Sequence, residues 1–153
     1  MESLDTKQHV LFALRHAKYL PTPYEPEDAN RMTLGYFCLS ALALLPSPVS
    51  AEGSDPSGSA LDSMLRPVQT QGFIDWVYEQ QVPSGGFRGS NSIECPVPPQ
   101  PLPSSSSETL DPPNLIQSYT AILILALLND SLARLDRVGL LRFLGRCQNP
   151  NGS

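Results

Sequence analysis

The side chains able to do chemistry in this sequence are few and scattered. Two histidines, His9 and His16, stand seven apart near the N-terminus, and Cys38, Cys95 and Cys147 lie far from both and from one another. A metal site needs ligands that converge, and the close pairs that achieve this, CxxC or HExxH, do not occur in the sequence. The same spread gives no disulfide framework. Cys38 sits in an apolar stretch and is expected to be buried and inert, Cys147 to pack, and Cys95, in a Pro-rich stretch, to be an exposed thiol. Gly85, Gly86 and Gly89 resemble a phosphate cradle in composition. A cradle opens a helix, however, and these glycines follow one, so a turn is expected. Thr33, Phe37 and Tyr119, taken alone, are a helix hydroxyl bonded to its preceding turn and two core aromatics. The sequence therefore assigns no catalytic residue and no metal ligand.

The elements that would position these residues are helical. Segments 5–20, 28–45, 70–81, 114–129 and 132–147 are bounded by capping residues and prolines: Ser3 or Asp5 before the first, Asn114 opening the fourth, Pro21, Pro46 and Pro83 beyond three of the ends. No segment alternates as a strand does. Helix 70–81 gathers Phe73, Ile74, Val77 and Tyr78 on one face, and helix 132–147 sets Leu135, Val138, Leu141 and Leu144 against its arginines. Helices 28–45 and 114–129 are apolar nearly all round and must be enclosed by protein. The order outer, inner, outer, inner predicts an all-α fold of helical hairpins in two layers.

A weak repeat supports that order. Helix 70–81 leads through Gln80 and Gln81 to Gly85-Gly-Phe-Arg-Gly-Ser90, and helix 132–147 leads to Gln148-Asn-Pro-Asn-Gly-Ser153. A glycine with positive φ suits each sharp exit. The chain stops in the second of these turns, so residues 1–153 are expected to be the N-terminal part of a longer domain. Segments 46–66 and 91–113 are expected to be disordered inserts, the second carrying seven prolines and a run of four serines.

Composition narrows the function. Sixteen of the 153 residues are proline, and ten Lys and Arg against fifteen Asp and Glu give a net charge of −5. Such a balance argues against nucleic acid and against an anionic membrane surface. The longest purely apolar run, Ala121 to Leu128, has eight residues, well short of the roughly twenty a membrane-spanning helix needs. The N-terminus has neither the basic nor the apolar part of a signal peptide. A cytoplasmic, reduced setting is expected.

Several runs resemble the β subunits of protein prenyltransferases. They are Arg31-Met-Thr-Leu-Gly-Tyr-Phe-Cys-Leu-Ser-Ala-Leu-Ala-Leu-Leu45, Trp76-Val-Tyr-Glu-Gln-Gln81 with Gly85–Ser90, Ser118-Tyr-Thr-Ala121 leading to Asn129-Asp130, Arg134-Leu-Asp136, and Cys147–Ser153. His9-Val-x-Phe-x-x-Arg15 and Leu20-Pro-x-x-Tyr24 are similar to the type I geranylgeranyltransferase β subunit. The resemblance covers residues 9–46, 72–90 and 115–153. It implies an α–α barrel whose inner helices line an apolar cavity, paired with a helical-repeat α subunit. It also implies transfer of geranylgeranyl from its diphosphate to the cysteine of a C-terminal CaaX tail, small GTPases being the substrates. By the same resemblance a zinc ion holds the peptide thiolate and basic residues stabilise the leaving diphosphate, but the family's zinc ligands match no residue of this sequence. This chain alone is therefore expected to be inactive.

The resemblance also assigns a binding role to three residues. Thr33 stands where farnesyltransferase-like subunits carry a tryptophan that closes the lipid pocket; the smaller side chain leaves room for one more isoprene unit. Phe37, four residues on and on the same helix face, replaces a second tryptophan and lines the lipid end and the pocket for the last CaaX residue. Tyr119 matches an aromatic that lines the isoprenoid cavity. The alternatives are a farnesyltransferase or Rab-type β subunit, or a non-catalytic helical fragment that only docks to an α subunit.

Overall fold

The computed structural model describes residues 4–47, 59–90 and 112–152. Among them the regular structure is helical: α1 Thr6–Lys18, α2 Arg31–Leu44, α3 Ala60–Met64, α4 Pro67–Glu79, α5 Leu115–Leu127 and α6 Arg137–Cys147, with a 3₁₀ stretch over Thr22–Asn30 between α1 and α2. Capping chemistry sets most of the boundaries. The Asp5 carboxylate accepts from the Gln8 N–H at 3.1 Å, and the Asn114 side chain accepts from the Gln117 N–H at 2.9 Å. Pro67 occupies the first turn of α4, where its missing N–H costs no bond. That helix therefore begins three residues before the expected Thr70.

The core gathers between α2 and α5 and extends to α1, α3 and α4. Met32, Leu39 and Leu42 of α2 meet Ala121, Ile124 and Leu125 of α5, with Val10, Leu61, Ile74, Val77 and Phe87 completing the cluster. α2 packs most extensively against α1 on one side and α5 on the other.

Two expectations need correction. Segment 46–66 is not an insert throughout. Ser59 caps α3 through the Asp62 N–H at 3.2 Å, Leu61 and Leu65 are buried, and Ala60 N–H donates to Leu45 O at 2.8 Å. Two leucines four apart make an apolar face that the surrounding Ser, Pro and Gly composition conceals. Residues 48–58 and 91–111, the remainder of the two expected inserts, lie outside the described residues.

Helix 132–147 begins at Arg137 instead. α5 ends in a Schellman arrangement: Asn129 has φ +55°, Asp130 N–H donates to Leu125 O at 2.9 Å and Asn129 N–H to Ala126 O at 3.1 Å. Asp136 then caps α6 through the Gly139 N–H at 2.9 Å. The face of α6 is also rotated from expectation. Gly139, Leu140 and Phe143 are buried, while Val138 and Leu141 are exposed. The cause is the turn against which α6 packs. Gly85 has φ +93°, and a Cβ there would stand 2.0 Å from the Gly139 carbonyl oxygen, so the two backbones come this close only because Gly85 has no side chain; a Cβ at Gly139 would instead meet the capping carboxylate of Asp136 at 2.2 Å. Gly152, in the second turn, likewise has φ +85°, as the repeat predicts.

Enclosure of the apolar helices was expected to need more protein than they have around them. α2 and α5 are not covered all round by the described residues; each keeps one apolar side open, and those two sides form the candidate site.

Candidate functional site

The strip Phe87–Gly89 seats the starts of both apolar helices. Asn114 N–H donates to Phe87 O at 3.2 Å, Met32 N–H to Gly89 O at 3.0 Å, and Phe87 N–H to Ser118 Oγ at 2.9 Å. With both N-termini on one strip, α2 and α5 run side by side in the same direction. Gln117, almost fully buried, locks the pair. Its Oε1 accepts from Thr33 Oγ1 at 3.1 Å and its Nε2 donates to Asn30 Oδ1 at 3.2 Å. A buried amide with both ends bonded is satisfied and holds one geometry.

Away from the core, both helices present apolar side chains to the open. On α2 the series Thr33, Phe37 and Leu44 shares a face, and on α5 the series Leu115, Tyr119 and Ala126 does so. Phe37 is 61% exposed, Leu44 86% and Tyr119 59%. Exposure of that size on large apolar residues marks a surface made to be covered. α5 has no charged residue, and α2 has none after Arg31. The wall can hold an uncharged chain. It offers no base, acid or cation.

The three residues singled out in the sequence are placed as follows. Thr33 is half-buried and tied to α5 through Gln117. Phe37 lies one turn further along the same face, its ring centroid 5.7 Å from that of Tyr36, in an apolar groove of about 440 Å³ between α1 and α2 that Phe12 and Leu44 also line. Tyr119 stands at the middle of the open face of α5, roughly 200° around that helix from Gln117, so the hydroxyl of Thr33 and the ring of Tyr119 address different sides of α5. Gln117 carries no motif and the sequence does not single it out; its one signal is an amide, beside Ser118 and Thr120, in the first half of a helix otherwise rich in apolar residues.

Cys38 lines the same groove, and burial pushes its thiol above the ordinary value. At neutral pH it is a protonated, weakly nucleophilic group, in line with the inert role expected of it. Cys147 is exposed, where packing was expected.

The chain matches the family model of the prenyltransferase alpha-alpha toroid domain over residues 4–153. It belongs to the prenyltransferase family. A role in prenyl transfer in general follows from that membership, and the all-helical architecture agrees with it. Among the described residues, no three His, Cys, Asp or Glu side chains gather as metal ligands do. The described residues thus bring together no set that would hold a zinc ion. No helix among the described residues is long and apolar enough to cross a membrane.

Proposed function

We propose that this chain is the lipid-lining front of a CaaX protein geranylgeranyltransferase β subunit. In that role it works beside a prenyltransferase α subunit on geranylgeranyl diphosphate and CaaX-tailed small GTPases. The observation that carries the reading is the uncharged wall of α2 and α5, with the small Thr33 where a bulky side chain would shorten it. Burial of an isoprenoid against this wall is favourable at about 25 cal/mol per Å² of apolar surface covered. One additional isoprene unit therefore adds binding energy only if the end of the pocket has room for it.

Thr33 Oγ1 donates to Gln117, so its hydroxyl is already engaged and does not turn freely toward a lipid. A tryptophan at this position would lose the bond to Gln117 and fill the space beside Phe37. The zinc and the diphosphate-binding cations that the type I reading requires have no counterparts on the wall. The wall's task in this reading is selection of the lipid, not bond making.

The test is the Thr33→Trp variant, measured with the chain co-expressed with an α subunit. Competition between geranylgeranyl and farnesyl diphosphate gives the selectivity. The expected result is a geranylgeranyl preference in the parent chain that shifts toward farnesyl by about tenfold or more, the scale of 1–3 kcal/mol for pocket-size changes of this kind. Unchanged selectivity in a folded variant contradicts the assignment.

A further inference from the structure

We propose that a second cavity, between α1, α2 and α4, binds a small amphiphile with an apolar body and a single anionic head. It lies apart from the lipid wall. Gly35 of α2, which lines it, follows Thr33 by two residues and so points roughly 200° around the helix from it. The cavity holds about 250 Å³, room for about eight water-sized groups.

Its walls are apolar: Leu34, Leu39, Phe73, Trp76 and Ile124 form most of the inner surface. Two glycines also line it, Gly35 in α2 and Gly72 in α4, and a Cβ added at either meets nothing within 4 Å. Glycine inside a helix is unfavourable relative to alanine. Neither is needed for a close helix contact, since the space beside each is open. What the two glycines do achieve is width, and backbone that a bound molecule can approach.

The charged part of the lining is one-signed. Lys18 and Arg31 belong to it, His16 and Gln69 add polar atoms, and no carboxylate lines it. Arg31 is shared: its guanidinium is 3.5 Å from Asp28 and sits over the Trp76 ring at 5.9 Å. Lys18 is half-buried at the last position of α1. A carboxylate or similar head placed beside Lys18 and Arg31 gains charge-assisted hydrogen bonds, and its chain reaches the aromatic floor. This combination of an apolar pocket with a few convergent polar groups is the usual form of a small-molecule site.

Trp76 is the chain's single tryptophan and reports on the cavity directly. Decanoate and decanol are titrated separately against the 153-residue chain while Trp76 emission is followed. Decanoate is expected to give a saturable, one-site change in the submillimolar range, with decanol about tenfold weaker for want of the charged head. Gly72→Leu fills the cavity with a better helix former; it should abolish the decanoate response while the helical circular dichroism is retained. Lys18→Gln with Arg31→Gln should bring decanoate down to the level of decanol. The proposal is overturned if no saturation occurs, if decanol matches decanoate in the parent chain, or if folded Gly72→Leu binds undiminished.

Discussion

Tyr78 shows how single residues tie distant parts of this chain together. Its hydroxyl donates to Asp130 at 2.5 Å, and the Arg134 guanidinium covers its ring at 4.3 Å while pairing with Asp75. The loop after α5 is thereby clipped onto α4. Burial, then the bond to Asp130, push the Tyr78 phenol up to about 12. A raised pKa means that the fold prefers the neutral phenol. The stabilisation is fully present below the unfolded value of about 10 and is lost as pH rises from there through about 12. Thermal unfolding followed across that window should show a falling midpoint, and Tyr78→Phe should flatten it. Asp75 works in the opposite sense. The hydrogen bonds from Arg134 and then Gln71 hold its carboxyl below the ordinary range, so its contribution exists above the carboxylate range and disappears on acidification. At so exposed a site, salt should weaken it further. The Tyr78–Asp130 and Asp75–Arg134 pairings are not legible in the sequence, because residues 52 or 59 positions apart share no spacing rule; only Gln71 and Asp75, four apart on one helix, do. Thr33, Phe37 and Tyr119 were reachable only through resemblance to a family. As residue types they look like helix and core, and Gln117, which holds Thr33, gave no signal beyond its polarity.

Glycine has opposite meanings in different elements. At Gly85 the backbone is left-handed and a Cβ would collide with Gly139 O, so Gly85→Ala should destabilise by more than about 2 kcal/mol, with both strain and overlap contributing. At Gly72 the space is open, so Gly72→Ala should stabilise by up to about 1 kcal/mol. Chemical denaturation of the two variants gives the comparison, and a common sign for both would contradict the packing described. Helix existence was legible because caps and prolines announce it: Asp5, Asn114 and the prolines at 21 and 46 all stand where boundaries fall. Two errors had a shared cause. α3 was missed and α6 was rotated because local periodicity counts leucines without knowing which neighbour they meet. In α6 the neighbour is a glycine turn, and it selects the narrow Gly139 side with Phe143 over the leucine-rich one.

For the molecule as a whole, the described residues leave several apolar surfaces open, among them the faces of α2 and α5, Leu11 and Phe12 of α1, and the Val138–Leu141 side of α6. A helix that is apolar nearly all round is stable when protein encloses it, which is why enclosure was expected for α2 and α5. Uncovered, they should bind a hydrophobic dye such as ANS and promote self-association. Co-expression with an α subunit is expected to lower dye binding and to give one defined complex by size exclusion; dye binding that the α subunit leaves unchanged would count against that partner. The fold class was legible from alternation of one-sided and all-apolar helices. Which face of each helix stays open was not, since that depends on packing partners far away in sequence.

The most direct test of the central claim is photoaffinity labelling with a geranylgeranyl diphosphate analogue carrying its reactive group at the far end of the lipid, followed by peptide mapping of the adducts. The account predicts labels on α2 and α5, at Phe37, Tyr119 and the residues beside Thr33, suppressed by unlabelled geranylgeranyl diphosphate. Labels confined to α6, or to the cavity around Trp76, would mean that the uncharged wall of α2 and α5 is not where this prenyltransferase chain meets its lipid.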